Sequence, residues 1–500
     1  MKQLAQKNIL VLGLGASGLA LARWCVRWGA QVTVADTRAA PPQLEALRTS
    51  VPAARFINAE MNEALLATAA FDMVLKSPGL SPASVAAVIT AAEARGIACG
   101  NELSLFAQAL ADLKEDRAYA PRVIGITGTN GKTTVTSLTA QLVQRAGKSV
   151  AVAGNIGPTL LDTLAEKLDA QVLPALPDVW VLELSSFQLD RVTNFEPSVA
   201  TVLNITQDHL DWHETLTAYI AAKAHVYGSA GLMLLNRNDP LVMAALPPLV
   251  KGRQLRDYLT FGNDEPQRPG DYGIETVNGM AWLVRAAEAD ETIKRRKDEE
   301  VVLHIQRLMP LDALRIRGRH NATNALAALG LAVAVDCALA PMLHGLREYR
   351  GEPHRVESVA VVNEVEYFDD SKGTNVGATA AALAGLGAER KLVLILGGVG
   401  KGQDFSPLAE PVSRHARAVV LIGRDAPLIR AALQASHVPL LDATSMPEAV
   451  ALAAQQAQTG DAVLMSPACA SFDMFDNYEH RARVFCEAVQ ALAREQGAVL

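Results

Sequence analysis

The chain has no pair of cysteines spaced as CxxC, no apolar run long enough to cross a membrane, and no excess of basic charge. Each absence removes a class of function. The five cysteines, Cys25, Cys99, Cys337, Cys469 and Cys486, are odd in number and far apart, which speaks against a zinc or dithiol site and suits a reducing cytoplasm. The longest stretch of small and aliphatic residues, Ala325 to Val335, falls well short of the roughly 20 residues a membrane helix needs and reads as a buried helix. A net charge of -7 offers no basic surface to neutralise a phosphate backbone, so nucleic acid is not an expected partner. The run Ile9 to Ala22, preceded by Lys2 and Lys7, mimics a secretory signal, but glycines at fixed offsets inside it give a better account.

What is present is apolar mass and α/β alternation. Half of the 500 residues are hydrophobic, more than one core usually holds, and three domains are the starting expectation. Asn8 to Leu12 reads as a strand, Gly13 to Gly18 as a turn, Leu19 to Trp28 as a helix, and Gln31 to Ala35 as a second strand ending at Asp36. The alternation runs to about Leu113, where the charges of Lys114 to Arg117 and then Pro121 suggest a linker. A second unit starts at Arg122, with a helix from Lys132 to about Ala146, then strands Val179 to Leu184 and Val199 to Ile205. From Phe261 to Pro310 the pattern weakens, and Glu291 to Glu300 looks like a solvated loop or exposed helix. After Gly351 a third alternating region has strands near Val359, Lys391 to Leu396, Ala418 to Ile422 and Ala462 to Met465. The predicted fold class is therefore α/β throughout, in three domains.

Two phosphate-type loops stand out. Gly13-x-Gly15-x-x-Gly18 lies between strand and helix with Asp36 closing the next strand, the arrangement in which backbone N–H groups meet a diphosphate at a helix N-terminus. Taken alone it fits a nicotinamide enzyme or a tightly packed turn equally, and it points to phosphate more firmly than to nicotinamide. The second loop is Gly128-Thr129-Asn130-Gly131-Lys132-Thr133-Thr134, whose amides can cradle phosphates while Lys132 reaches the β and γ oxygens and Thr133 ligates Mg²⁺. Ile126 stands where the general P-loop pattern has glycine, so the match is to a GTNGKT variant. Glu183 follows an apolar strand, where an acidic residue commonly holds the nucleotide's Mg²⁺, and His209 stands at the mouth of another strand. A dehydrogenase needs no P-loop, and a simple ATPase needs no first domain. A ligase with a nucleotide-linked acceptor in one domain and ATP in another needs both.

Gly128-Thr-Asn-Gly-Lys-Thr133, Glu183-Leu-Ser-Ser-Phe-Gln188, Gly318-Arg-His-Asn-Ala-Thr-Asn324, Pro353-His-Arg355, Asp369-Asp-Ser-Lys-Gly-Thr-Asn375 and Ser466-Pro-Ala-Cys-Ala-Ser471-Phe-Asp473 together resemble the Mur ligases. The resemblance implies a dinucleotide-binding-like N-terminal domain (residues 1–113) for a UDP-linked substrate. It also implies a central P-loop ATPase domain (121–351, with an insertion at about 264–308) and a dinucleotide-binding-like C-terminal domain (352–500) for the amino acid. The fingerprint of the first domain would then serve without a nicotinamide. The resemblance assigns the UDP substrate to Gly15, Ser17, Asp36, Thr37, Ser77, Gly79, Asn155 and Gln188. It assigns ATP to residues 128–134 with Asn321, Asn324 and Arg355, and Mg²⁺ to Thr133, Glu183, His209 and Lys223, the lysine as its carbamate. Lys132, Glu183, His209, Lys223 and Arg355 would carry the chemistry.

The Asp-Ser-Lys-x-Thr-Asn segment is similar to that of members that add D-glutamate, so Lys372, Thr374, Lys401, Ser471, Phe472 and Tyr478 would surround D-glutamate. The implied acceptor is UDP-N-acetylmuramoyl-L-alanine and the implied setting cytoplasmic peptidoglycan precursor synthesis, by a monomer not inserted in the membrane. Gln207 departs from the pattern, standing where an acidic residue often precedes Asp208-His209.

Overall fold

Three separate sheets carry the chain in the computed structural model, which describes residues 1–170, 176–289, 302–388 and 390–497. Glu291 to Glu300, expected to form a solvated loop or exposed helix, lie outside the described residues. The first sheet is all parallel, in the order Arg55–Asn58, Gln31–Asp36, Asn8–Leu12, Met73–Lys76, Ala98–Asn101. Its central strand reads Asn-Ile-Leu-Val-Leu, almost wholly buried, as a strand covered on both faces must be. The helix that follows, Ala16–Arg27, begins three residues earlier than its apolar run suggests, because Gly15 already stands at its N-cap. The third glycine of the fingerprint is required by packing: a Cβ on Gly18 would lie 2.0 Å from the carbonyl oxygen of Gly13.

The sequence expectation of a linker from Lys114 is corrected here. Helix Glu102–Arg117 runs through it, started by an Asn101/Ser104 capping box and ended by Ala118 in the left-handed region. Lys114 and Arg117 fall in its last turn, where cations favour the helix dipole, so charges that resemble a linker complete a helix instead.

The central sheet places Arg122–Thr127 between Val179–Glu183 and Val199–Val202, all parallel. It continues through Leu232–Asn236 and Tyr258–Phe261. The weak-pattern region then proves to be three further strands, Tyr272–Val277, Met280–Glu288 and Leu303–Pro310, antiparallel to one another, which extend this sheet at its edge. Helix Lys132–Arg145 packs against helix Arg319–Val333, whose Ala325 to Ala332 segment is fully buried, as its composition suggests. Among the described residues no helix is long and apolar enough to cross a membrane.

The third sheet runs Glu357–Val362, Val365–Asp369, Ala462–Met465, Leu392–Gly397, Ala416–Ile422, Leu440–Asp442, with only the first pair antiparallel. The nominated residues follow the carboxyl ends of strands in all three sheets, the edge at which open α/β sheets bind ligands. Asp36 and Ser77 lie at or just past such ends in the first sheet, Gly128 and Glu183 in the second, and in the third the segment that carries Lys372 and Thr374 follows strand Val365–Asp369.

Candidate active site

The GTNGKT loop leaves strand Arg122–Thr127 and enters helix Lys132–Arg145, with Gly131 at the N-cap in the left-handed region at φ 84°. Neighbouring strand ends brace it. The Thr129 hydroxyl lies 3.1 Å from the Tyr219 hydroxyl, the Asn130 N–H donates to Asn204 Oδ1 at 2.9 Å, and Asn204 Nδ2 donates back to the Asn130 carbonyl at 3.0 Å. Lys132 folds over the loop, its ammonium donating to the carbonyls of Gly128 and Thr129, both at 2.8 Å. Arg355, from the segment joining the second and third sheets, donates to the Thr133 hydroxyl at 2.8 Å.

Beneath the loop is a pair of charges withdrawn from water. Glu183 and Lys223 are each 1% exposed. Lys223 donates to the Gly128 carbonyl at 2.8 Å and lies over the Tyr219 ring. Burial, and next the proximity of Lys132, hold its pKa well below the ordinary lysine value, with Asp208 and Glu183 acting the other way. Lys132 is likewise lowered, by burial first. Glu183 accepts from Asn155 Nδ2 at 2.8 Å through Oε1, while its buried Oε2 has no protein partner. His209 adopts positive φ at the start of a short helix, its ring edge-on to Phe187, and its pKa is lowered by burial against the pull of Asp208.

With Lys223 taken as its carbamate, the donors nominated for Mg²⁺ would be hard oxygens plus one imidazole, and the orphaned oxygen of Glu183 is what such an ion would satisfy. Among the described residues, the only trio of His, Cys, Asp or Glu donors within 4.8 Å of one another is a different one, His354, Glu357 and Asp369. There His354 Nδ1 and Asp369 Oδ2 are 2.6 Å apart, and Glu357 accepts from the His354 N–H.

A cavity of about 400 Å³ between the second and third sheets gathers six of the ten residues nominated for ATP, while Gly128, Thr129, Lys132 and Thr133 are not in its lining. Asn130, Gly131, Thr134, Asn321, Asn324 and Arg355 line it, and Lys372 joins them from the third sheet. Lys372's ammonium lies 3.7 Å from the Tyr478 ring centroid, and burial, followed by Arg355, lowers its pKa. Ser471 is buried, Phe472 is 74% exposed, and Lys401 is exposed in a turn at positive φ.

The residues nominated for the UDP substrate are more dispersed. Asp36 accepts from the backbone N–H of Leu14 and from both the side chain and N–H of Arg38. Burial would raise its pKa, but these bonds outweigh it and bring it to about 2. Gln188 closes the capping box of its own short helix through Ser185. A larger cavity, about 1110 Å³ beside strand Ala98–Asn101, is lined by Lys76, Asp190, Trp212 and His213 among others, and by none of the eight nominated residues. Sequence reasoning passed over Asn204, Asp208, Tyr219 and Asn375. Asn375 was within a quoted motif, but only the tertiary structure brings its amide to Asn130, at 3.1 Å.

Comparison with known proteins identifies the family. Residues 7–100 match the Mur ligase MurD-like N-terminal domain, 126–332 the Mur ligase middle domain, and 354–469 the Mur ligase glutamate ligase domain. The chain is 68% identical over 502 residues to the UDP-N-acetylmuramoylalanine--D-glutamate ligase of Albidiferax ferrireducens, covering 100% of this chain and 99% of that one. It is 62% identical to the enzyme of the same name from a Polaromonas species, with 100% of each chain covered. Among solved structures, the fold is similar to MurF ligase from Thermotoga maritima in complex with ADP, at TM-score 0.56 and 15% identity, covering 99% of this chain and 97% of that one.

Proposed function

Since the chain belongs to the Mur ligase family, we propose that it joins D-glutamate to UDP-N-acetylmuramoyl-L-alanine at the expense of ATP, through an acyl phosphate, in peptidoglycan precursor synthesis. The observation that supports this reading is the cavity in which Asn130, Gly131 and Thr134 of the phosphate loop converge with Arg355 and Lys372, because a phosphoryl donor held there would lie beside a cation suited to an acidic amino acid.

A carboxylate at neutral pH is a poor electrophile, and transfer of ATP's γ-phosphoryl to its oxygen supplies a leaving group. In this reading Lys132 and Arg355 hold the charge that develops on the transferring group. Thr133, Glu183, His209 and Lys223 would hold Mg²⁺, which when bound would neutralise further charge on the phosphate oxygens. In this reading Lys223 is a carbamate, because a bare ammonium there would repel the metal: the ammonium loses one proton, the resulting amine adds CO₂ and loses a second, and the product is a carboxylate-like oxygen ligand. Lys372, Thr374, Lys401, Ser471, Phe472 and Tyr478 surround D-glutamate, whose amine attacks the acyl carbon and expels phosphate. Gly15, Ser17, Asp36, Thr37, Ser77 and Gly79 hold the UDP end, with Asn155 and Gln188 nearer the reacting carboxyl. The substrates accordingly divide among residues 1–113, 121–351 and 352–500.

Phosphate release tests the reading. It is expected to require ATP, the UDP-linked acid and D-glutamate together. Release with ATP alone would indicate a simple ATPase, and NAD binding at Gly13 to Gly18 a nicotinamide enzyme.

A further inference from the structure

We propose that Asn375 is a positioning residue that docks the amino-acid-binding loop onto the phosphate loop, so that the acyl phosphate and the incoming amine are brought into register. This rests on the ligase reading above. Asn375 is 5% exposed and directly follows Lys372, Gly373 and Thr374. Its Oδ1 accepts from the Ala378 N–H at 2.8 Å, capping helix Val376–Gly387. The same side chain reaches across to the central sheet, where it and Asn130 exchange a reciprocal pair of amide hydrogen bonds at 3.1 and 3.2 Å. Its Nδ2 also donates to Asp208 Oδ2 at 3.3 Å.

The orientation of this amide is fixed on both sides. Ala378 requires the oxygen where it is, and the Asp208 carboxylate requires the NH₂ where it is. Asn130 is in turn pinned through its own backbone to Asn204, so Asn204, Asn130 and Asn375 form a ladder from the central strand ends to the third sheet. A second contact presses the same surfaces together. A Cβ on Gly377 would lie 2.7 Å from Thr206 Oγ1 and 3.1 Å from Thr206 Cβ, so the helix start leaves no room for any side chain. Thr206 itself donates its N–H to the P-loop hydroxyl of Thr129 at 3.0 Å.

Both polar side-chain atoms of Asn375 are used by protein, so it acts through the loops that it joins. Docking fixes Lys372 and Thr374 against the phosphate loop, and separating the two should impair the chemical step more than nucleotide binding.

The test is steady-state kinetics on Asn375→Ala, Asn130→Ala and the double variant of the full chain. Asn375→Ala is expected to lower kcat by about 10- to 100-fold while changing the KM for ATP less than about 3-fold. In the Asn130→Ala background the same change should cost much less, because its partner is already gone. Asn375→Asp should be worse than Ala, since it puts a second carboxylate against Asp208, and Asp208→Asn should partly relieve it. Wild-type kcat in Asn375→Ala, or penalties in the two single variants that multiply independently, would overturn the proposal. If Asn375→Ala fails to fold, Gly377→Ala carries the test, because it leaves the cap in place and pushes the helix off Thr206; full kcat there would equally overturn it. Failure of the wild type to release phosphate in response to D-glutamate would defeat the ligase reading instead, and is a separate outcome.

Discussion

At the scale of single residues, Lys132 folds over the phosphate loop and donates to the carbonyls of Gly128 and Thr129, and its replacement is expected to remove nearly all phosphate release. Lys132 was legible because a glycine-rich turn before a helix has few other uses. Asn375 was not, because its meaning lies in an amide 245 positions away. Lys132 is the only cation that the phosphate loop itself places, so Lys132→Met should lower turnover by at least about 10³-fold and leave the fold intact; circular dichroism and phosphate release check both parts. Lys223 follows a different logic. It is buried against Lys132 with the open oxygen of Glu183 close by, an arrangement that gains from replacing an ammonium with a carboxylate-like group. Lys223→Ala should lose about 10²-fold or more in kcat and recover part of it in added acetate or propionate. No recovery at any carboxylate concentration, together with an unmodified mass at Lys223 in the Mg²⁺-loaded wild type, would rule the carbamate out.

At the scale of elements, the parallel strands declared themselves because a strand buried on both faces is a continuous apolar run, as in Val179–Glu183 and Ala462–Met465. The edge strands did not. Leu303–Pro310 is half exposed and includes His304, Gln306 and Arg307, so its alternation is diluted by residues that face water. Helix Glu102–Arg117 was cut short for a related reason, since charges suited to a helix C-terminus look like those of a linker.

That helix supplies a pH prediction. Glu102, 1% exposed, accepts from the Leu161 N–H at 3.1 Å at the start of helix Leu160–Asp169 in the central domain. Burial pushes its carboxyl up to about 7 from 4.5. Its Oε2 has no partner within hydrogen-bond distance, and Ser17 and the Leu160 N–H, which favour the charged form from nearby, do not offset burial. A folded-state pKa above the unfolded one means stability that is full below about pH 4.5 and is lost as pH rises through 7, by at most about 3 kcal/mol. Glu102→Gln keeps an oxygen for Leu161 and removes the titration. The Tm of wild type should fall relative to Glu102→Gln between pH 5 and pH 8, and parallel curves would contradict the assignment.

At the scale of the whole molecule, three sheets follow one another along the chain, and residues beyond the strand ends of the second and third meet in one cavity; in the proposed reading the order of the chain is the order of the substrates. That much followed from two phosphate loops and a third α/β region. Which loops touch did not follow, because contacts such as Arg355 with Thr133 are set by how domains meet. If the third sheet holds the amino acid, Lys401→Ala should raise the KM for D-glutamate about 10-fold or more and leave that for ATP within about 2-fold, since one lost charge contact removes about 1.4 kcal/mol or more of binding. Equal changes in both KM values would place Lys401 elsewhere.

The central claim is that the acceptor's carboxylate oxygen leaves with phosphate. It is tested most directly by running the reaction with UDP-N-acetylmuramoyl-L-alanine labelled with ¹⁸O in the alanyl carboxylate and analysing the released phosphate by mass spectrometry. An acyl phosphate predicts one ¹⁸O transferred into inorganic phosphate for each D-glutamate joined. Unlabelled phosphate, or label recovered in AMP, would contradict it.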